Sequence, residues 1–191
     1  MQTARQIEIV EAALNLIDEN GIQGLTIKNL SKRIGISEPA IYRHYENKIE
    51  ILVAVLDSFS RFMGEIRTVV GKQNRSLSQI EAMFTAFFTA FNDKPSLVAV
   101  IFSEELFRNE TRLSDKTSEI INTNIDFLSD IIRNGAHQGD IRTDIPAEHL
   151  ALMVMGTLRL YVKNWQLTGA GFNLKAEGER LIRSVISLIS K

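Results

Sequence analysis

Residues 26–48 read TIKNLSKRIGISEPAIYRHYENK, and the fold follows from how this stretch is parsed. Ile27, Leu30 and Ile34 stand at i, i+3 and i+7, the spacing of one apolar stripe along a short helix. Thr26 precedes that helix as an N-cap whose hydroxyl can accept from an otherwise unpaired first-turn amide. Gly35 stops the helix where the backbone must turn left-handed, and Ile36 drops back into the core. Ser37 is placed to cap a second helix, with Pro39 in its first turn, where a missing N–H removes no hydrogen bond. Ile41 and Tyr45, four apart, face inward and leave Glu38, Ala40, Tyr42, Arg43 and His44 largely outside. Two short helices joined by such a turn form a helix-turn-helix, the motif whose second helix enters the DNA major groove.

The charge pattern agrees. Residues 26–48 hold five cations (Lys28, Lys32, Arg33, Arg43, Lys48) against Glu38 and Glu46, although the whole chain of 191 residues carries a formal net charge of −1. A local basic patch on a neutral body is what a DNA-reading head requires. The apolar fraction of 45% and charged fraction of 24% are those of an ordinary soluble globular protein. The absence of cysteine excludes disulfides, thiolate zinc sites and cysteine nucleophiles. Arg5, Glu8 and Glu11 are spread through an amphipathic N-terminal pattern, unlike a signal peptide, and the apolar run at Leu150–Gly156 is too short to cross a bilayer. The sequence therefore predicts a cytoplasmic protein with no membrane partner. Its histidines, His44, His137 and His149, lie far apart without metal-ligand spacing, and there is no glycine-rich phosphate loop or nucleophile elbow. No metal, cofactor or enzymatic activity is expected.

Outward from this stretch, apolar periodicity predicts helices over 3–20, 48–71, 79–91, 97–107, 113–138, 147–168 and from 174 onward. With the central pair this makes about nine helices and an all-α fold. Asn47 looks like the cap of the helix opening at Lys48, and the polar segment Gly71–Ser78 is the best internal boundary. Residues 1–47 form a head, residues 48–191 a larger bundle, and helix 48–71 links them. The last two helices are more apolar than an outer layer should be. Pairing them with a second copy would hide Leu158, Tyr161, Val162, Trp165, Leu181, Val185 and Leu188 in a four-helix interface.

The sequence resembles the TetR family of bacterial transcriptional regulators. The resemblance is carried by Gly21, Leu25-Thr26, the run Leu30–Ser37, the run Ala40–Tyr45 and Lys48, without a gap. Ser31 stands where the family usually has alanine and Tyr45 where it usually has phenylalanine. Gly139–Ile145 is similar to the loop such proteins place between their seventh and eighth helices. The resemblance implies a homodimer on a pseudo-palindromic double-stranded DNA operator, usually acting as a repressor. It further implies a small-molecule effector that enters the C-terminal bundle and releases DNA. A relative that keeps the fold but no longer reads DNA is the alternative, disfavoured by the polar face of Tyr42, Arg43 and His44.

The resemblance assigns Tyr42 to a phosphate, a contact that suits a rigid neutral donor. Lys48 sets an ammonium at the positive end of a helix, a conflict that a nearby anion such as DNA phosphate would resolve. Thr26 both caps its helix and can offer a hydroxyl to the backbone. The fork of Arg43 matches guanine O6 and N7, and equally a phosphate. Ala40 suits a thymine methyl or simply close approach, and His44 a phosphate or an internal hydrogen bond. Lys28, Lys32 and Arg33 supply further cations, and Ser37, Glu38 and Pro39 complete the face. Six of the ten phenylalanines lie at Phe84, Phe87, Phe88, Phe91, Phe102 and Phe107. Core packing explains most of them, yet the segment matches where the family keeps its ligand cavity. A hydrophobic effector would meet Phe84, Phe87, Phe88, Phe91, Phe102 and Met155 there. Glu105 and Arg159 interrupt apolar surroundings as orienting charges, salt-bridge members or interface residues.

Overall fold

A computed structural model describes residues 2–103 and 110–191. Among these residues the chain forms nine α-helices: α1 Ala4–Gly24, α2 Ile27–Ile34, α3 Glu38–Tyr42, α4 Lys48–Val70, α5 Ser76–Asp93, α6 Pro95–Ile101, α7 Thr111–Gln138, α8 Ala147–Leu167 and α9 Leu174–Ile189. The extended pairing among them is a single antiparallel bridge between Ile141 and Ser190. None of the described helices is long and apolar enough to cross a membrane. The chain divides into two compact units, Met1–Arg61 with Lys94–Thr117 and Phe62–Asp93 with Ser118–Lys191, so α4 and α7 are shared between them.

In the first unit, Thr3 and Gln6 open α1 as a reciprocal capping box, with Gln6 N donating to Thr3 Oγ1 and Thr3 N to Gln6 Oε1. The helix buries Ile9, Val10, Ala13, Leu14 and Ile17 on one face, and α2 and α6 pack against it. The stop expected at Asn20-Gly21 is a kink: Gly21 adopts φ 67°, ψ −178°, a region open essentially to glycine alone, and one more turn follows to Gly24. Lys94 separates α5 from α6, which opens at Pro95, two residues ahead of the expected position, because proline is compatible with the first turn of a helix. The helix predicted to reach Phe107 ends at Ile101, and residues 104–109 lie outside the described ones. Lys116 pairs with Asp57 at 3.0 Å, and Arg112 pairs with Glu50, tying the start of α7 to α4.

In the second unit, α5 starts at Ser76, three residues ahead of the expected position, and lies along α9. They approach closely at Gly178, where a Cβ would lie 2.5–2.7 Å from three ring atoms of the buried Phe88. Phe88 also meets Phe84 edge to face at 6.1 Å, and Phe87 stacks on Phe91 at 6.0 Å. Gly139, at φ 84°, ends α7. The loop that follows is pinned to the end of α9 by Arg142 N donating to Ile189 O at 2.9 Å and Lys191 N donating to Asp140 O at 3.2 Å.

The α5–α9 seam leaves no room for a side chain on Gly178. Gly178→Val should therefore destabilise the protein by about 2–3 kcal/mol through overpacking. Urea unfolding checks this, with a lower midpoint and an unchanged m-value expected.

Candidate nucleic-acid interface

Thr26 has extended backbone angles (φ −129°, ψ 154°) and accepts from Asn29 N at 3.1 Å, so α2 is capped as the sequence indicates. Leu30 is fully buried, and Ile27 and Ile34 are half-buried. Ser31 is buried where an alanine would leave nothing to satisfy. Its hydroxyl donates back to Lys28 O at 2.9 Å, which makes the serine acceptable inside the head. Gly35, at φ 75° and ψ 31°, closes α2, and both Gly35 N and Ile36 N donate to Ser31 O, at 2.9 and 3.1 Å.

The second helix, α3, is only five residues long. Ser37 holds the N-cap position, but its hydroxyl accepts no capping hydrogen bond, contrary to the sequence expectation; Pro39 in the first turn sets the helical start without it. Ile41 is fully buried and Tyr45 nearly so; burial pushes the Tyr45 phenol up from its ordinary pKa. Tyr45 N and His44 N both donate to Ile41 O, at 3.1 and 2.8 Å, and carry the chain out of the helix. From Ser37 to His44, every residue except Ile41 reaches the surface: Ser37, Glu38, Pro39, Tyr42 and Arg43 are exposed, and Ala40 and His44 are half-buried. Tyr42 presents an aromatic side chain that is 50% exposed.

The five cations of residues 26–48 separate into two groups. Arg33 forks onto Glu19 of α1, with Nη1 donating to Oε1 at 2.9 Å and Nη2 donating to Oε2. This contact holds the Glu19 carboxyl below the usual carboxylate range. Lys48 Nζ donates to Ile22 O at 2.9 Å. Lys28, Lys32 and Arg43 are exposed and make no ion pair among the described residues. Asn47 caps α4, its Oδ1 accepting from Glu50 N at 3.0 Å.

The residues singled out for an effector are placed differently from one another. Phe84, Phe87, Phe88 and Phe91 are buried in the second unit, and Tyr161 lies edge to face on Phe88 at 6.3 Å. Met155 is half-buried there, Phe102 is half-buried in the first unit, and Glu105 lies outside the described residues. Arg159 is exposed on α8. One polar pair escaped the sequence reading: Arg67 Nη1 donates to Oδ1 of the buried Asn124 at 2.9 Å. An asparagine on the amphipathic α7 carries no periodic signal that would mark it as internal.

Of the residues expected at a subunit interface, Leu158, Val162, Trp165 and Val185 are buried within their own chain. Trp165 Nε1 donates to Phe172 O at 3.0 Å. Tyr161 and Leu181 are half-buried, and Leu188 is 70% exposed. The apolar residues of α8 open to solvent are Leu152, Met153, Leu160 and Leu167. The difference is one of helix phase. Apolar side chains cover almost every side of α8 between Leu150 and Met155, so periodicity alone does not reveal which stripe faces inward.

The family model for bacterial regulatory proteins of the tetR family matches residues 9–55, and that for the C-terminal region of YsiA-like proteins matches residues 56–188. The fatty acid metabolism regulator protein of Bacillus subtilis is 21% identical over 184 residues, covering 96% of this chain and 94% of its own. The solved fatty acid degradation regulator FadR of Bacillus halodurans superposes with a TM-score of 0.86 at 20% identity, covering 97% of this chain and 96% of its own. The regulator FadR of Bacillus subtilis, solved in complex with stearoyl-CoA, gives a TM-score of 0.83 at 21% identity, covering 96% of this chain and 98% of its own. With a helix-turn-helix head and a matching C-terminal region, the chain belongs to the TetR family of bacterial regulatory proteins and is a DNA-binding transcriptional regulator.

Proposed function

We propose that this regulator is a homodimeric repressor that reads a pseudo-palindromic operator with α3 of each copy and is released by a hydrophobic small molecule. The observation that carries the DNA half is the α3 face, on which Tyr42 and Arg43 stand exposed while Ile41 anchors the helix from behind. Residues 1–47 do the reading, and residues 48–191 serve the effector and the partner copy. Thr26, Lys28 and Tyr42 hold phosphates, Arg43 reads a base edge, and Ser37, Glu38, Pro39, Ala40 and His44 line the approach.

The effector half draws support from relatives whose names point to fatty acid metabolism and, in one case, to bound stearoyl-CoA. A long-chain acyl-CoA is therefore the effector class to test. It would lodge beside the aromatic group Phe84, Phe87, Phe88 and Phe91 of the second unit, to which the half-buried Met155 also belongs. For the dimer, the exposed stripe of Met153, Leu160 and Leu167 on α8, together with Leu188 on α9, is the apolar surface that a second copy would cover.

Selection from random duplexes should enrich a two-fold-symmetric sequence bound with strong salt dependence. Against that sequence, Arg43→Ala should cost about 1–3 kcal/mol and relax preference at one position, whereas Tyr42→Phe should weaken all sequences alike. If the Arg43→Ala preference equals that of wild type, Arg43 does not read a base. Titration of the bound complex with stearoyl-CoA should release the duplex, and failure across a chain-length series would remove the effector class while leaving the DNA half intact. Leu160→Glu with Leu188→Glu should sediment as a monomer with undiminished helical circular dichroism. A persistent dimer would place the interface elsewhere.

A further inference from the structure

We infer that Gly156 is a contact point between two copies of this chain, a notch in the outward face of α8 that lets a helix of the second copy approach closely. The inference rests on the dimer proposed above and locates its tightest contact. Gly156 stands near the middle of α8, Ala147–Leu167, where glycine is a poorer helix former than alanine. Nothing among the described residues calls for it. It is not one of the glycines with positive φ, which are Gly21, Gly35, Gly139 and Gly169. Nor does packing exclude a side chain, for Gly156 is exposed and a Cβ there would meet no atom within 4 Å. Gly178 is the contrast, since the ring of Phe88 leaves no room beside it.

What surrounds Gly156 is apolar and open. Met153 lies three residues before it and Leu160 four residues after, spacings that share a helix face. They are 58% and 73% exposed, and Leu167 continues the same edge at 74%. The hydroxyl of Thr157 donates back to Met153 O at 2.9 Å, so the polar group beside the notch is satisfied within α8. An apolar edge with a gap at its centre offers ridges and a groove on one surface, the pairing by which helices pack. A second copy is the occupant that this pattern favours. In a two-fold dimer the same patch meets itself, so ridge and gap are each offered a counterpart of the opposite kind. A solvated face gains nothing from an exposed glycine. A close helix–helix contact does gain, because the backbone then meets partner atoms that a side chain would hold away.

Sedimentation equilibrium over a dilution series reads the dimer dissociation constant, with circular dichroism reporting the helix content of each variant. Wild type should be dimeric at micromolar concentration. Gly156→Ala should raise the dissociation constant about tenfold, and Gly156→Leu should leave only monomer, because a side chain fills space that the second copy needs. Alanine favours the helix itself, so weaker association with undiminished helix content cannot come from a damaged α8. Should Gly156→Leu lose helix content, Gly156→Ala decides. Gly64→Ala, the same exchange within α4, is the control and should leave the constant unchanged, since a Cβ there meets only Arg67 Nη2 at 3.7 Å. A monomeric wild type overturns the dimer and this inference with it. A dimeric wild type whose constant neither Gly156 variant changes overturns the contact at Gly156 alone and leaves the dimer standing. An effect of Gly64→Ala equal to that of Gly156→Ala does the same, because the loss would then follow from replacing any helical glycine.

Discussion

Two amides on one carbonyl hold the reading head in shape. Gly35 N and Ile36 N both donate to Ser31 O, an arrangement that requires the left-handed backbone of Gly35 at φ 75°. An L side chain there would strain the turn by about 1–2 kcal/mol. The turn brings Leu30 of α2 and Ile41 of α3 into one core, and neither side chain retains solvent exposure. A helix of five residues cannot persist alone, since nucleation costs more than its few hydrogen bonds return. The shape of α3 is imposed from behind by the turn, by Pro39 and by the burial of Ile41 and Tyr45. Its outward residues have little structural duty and can vary with the DNA to be read.

Charge on the head follows the same separation of scaffold from surface. Arg33 belongs to the scaffold, forked onto Glu19, and Lys48 donates to the Ile22 carbonyl. Because the Arg33 contact depresses the Glu19 pKa, the pair is intact above the ordinary carboxylate range. It is lost only as pH falls through the lowered value, well below neutrality. Near neutral pH this leaves Lys28, Lys32 and Arg43 as the cations of residues 26–48 without an ion pair among the described residues. Three cations give modest non-specific attraction. In the proposed reading, discrimination comes from where Arg43 is placed, and placement is what the buried contacts behind α3 govern.

The head was legible in the sequence because its determinants are local: Thr26 as cap, Gly35 as stop, Pro39 as first-turn residue and the inward pair Ile41 and Tyr45 all act within a few positions. What escaped is tertiary. The partner of Lys48 lies 26 residues away, and no spacing rule joins an ammonium to a backbone carbonyl across a kink at Gly21. Ser37 looked like a capping hydroxyl, yet α3 starts without one. In the second unit the limit is rotational phase. The helix at 147–168 was expected and found, but with apolar residues on nearly all sides its inward stripe is Leu158, Val162 and Trp165, and its outward one is Met153, Leu160 and Leu167. The same rotation puts Arg159 in solvent.

The outward stripe matters because of how little DNA one head can reach. A five-residue recognition helix with one arginine fork reads few base pairs, and each mismatched pair costs only about 1–3 kcal/mol. Specificity against a genome therefore asks for two heads on half-sites about 34–36 Å apart, with the spacing held by the protein. Met153, Leu160 and Leu167 recur every seven residues, close enough to helical periodicity to keep one apolar edge of α8 facing a partner along its length. In the proposed dimer that edge would join the two copies whose heads occupy the half-sites. An effector then has no need to disturb α3 itself. A shift in separation that breaks register between the two half-sites suffices, since one correctly seated head cannot supply the discrimination of two.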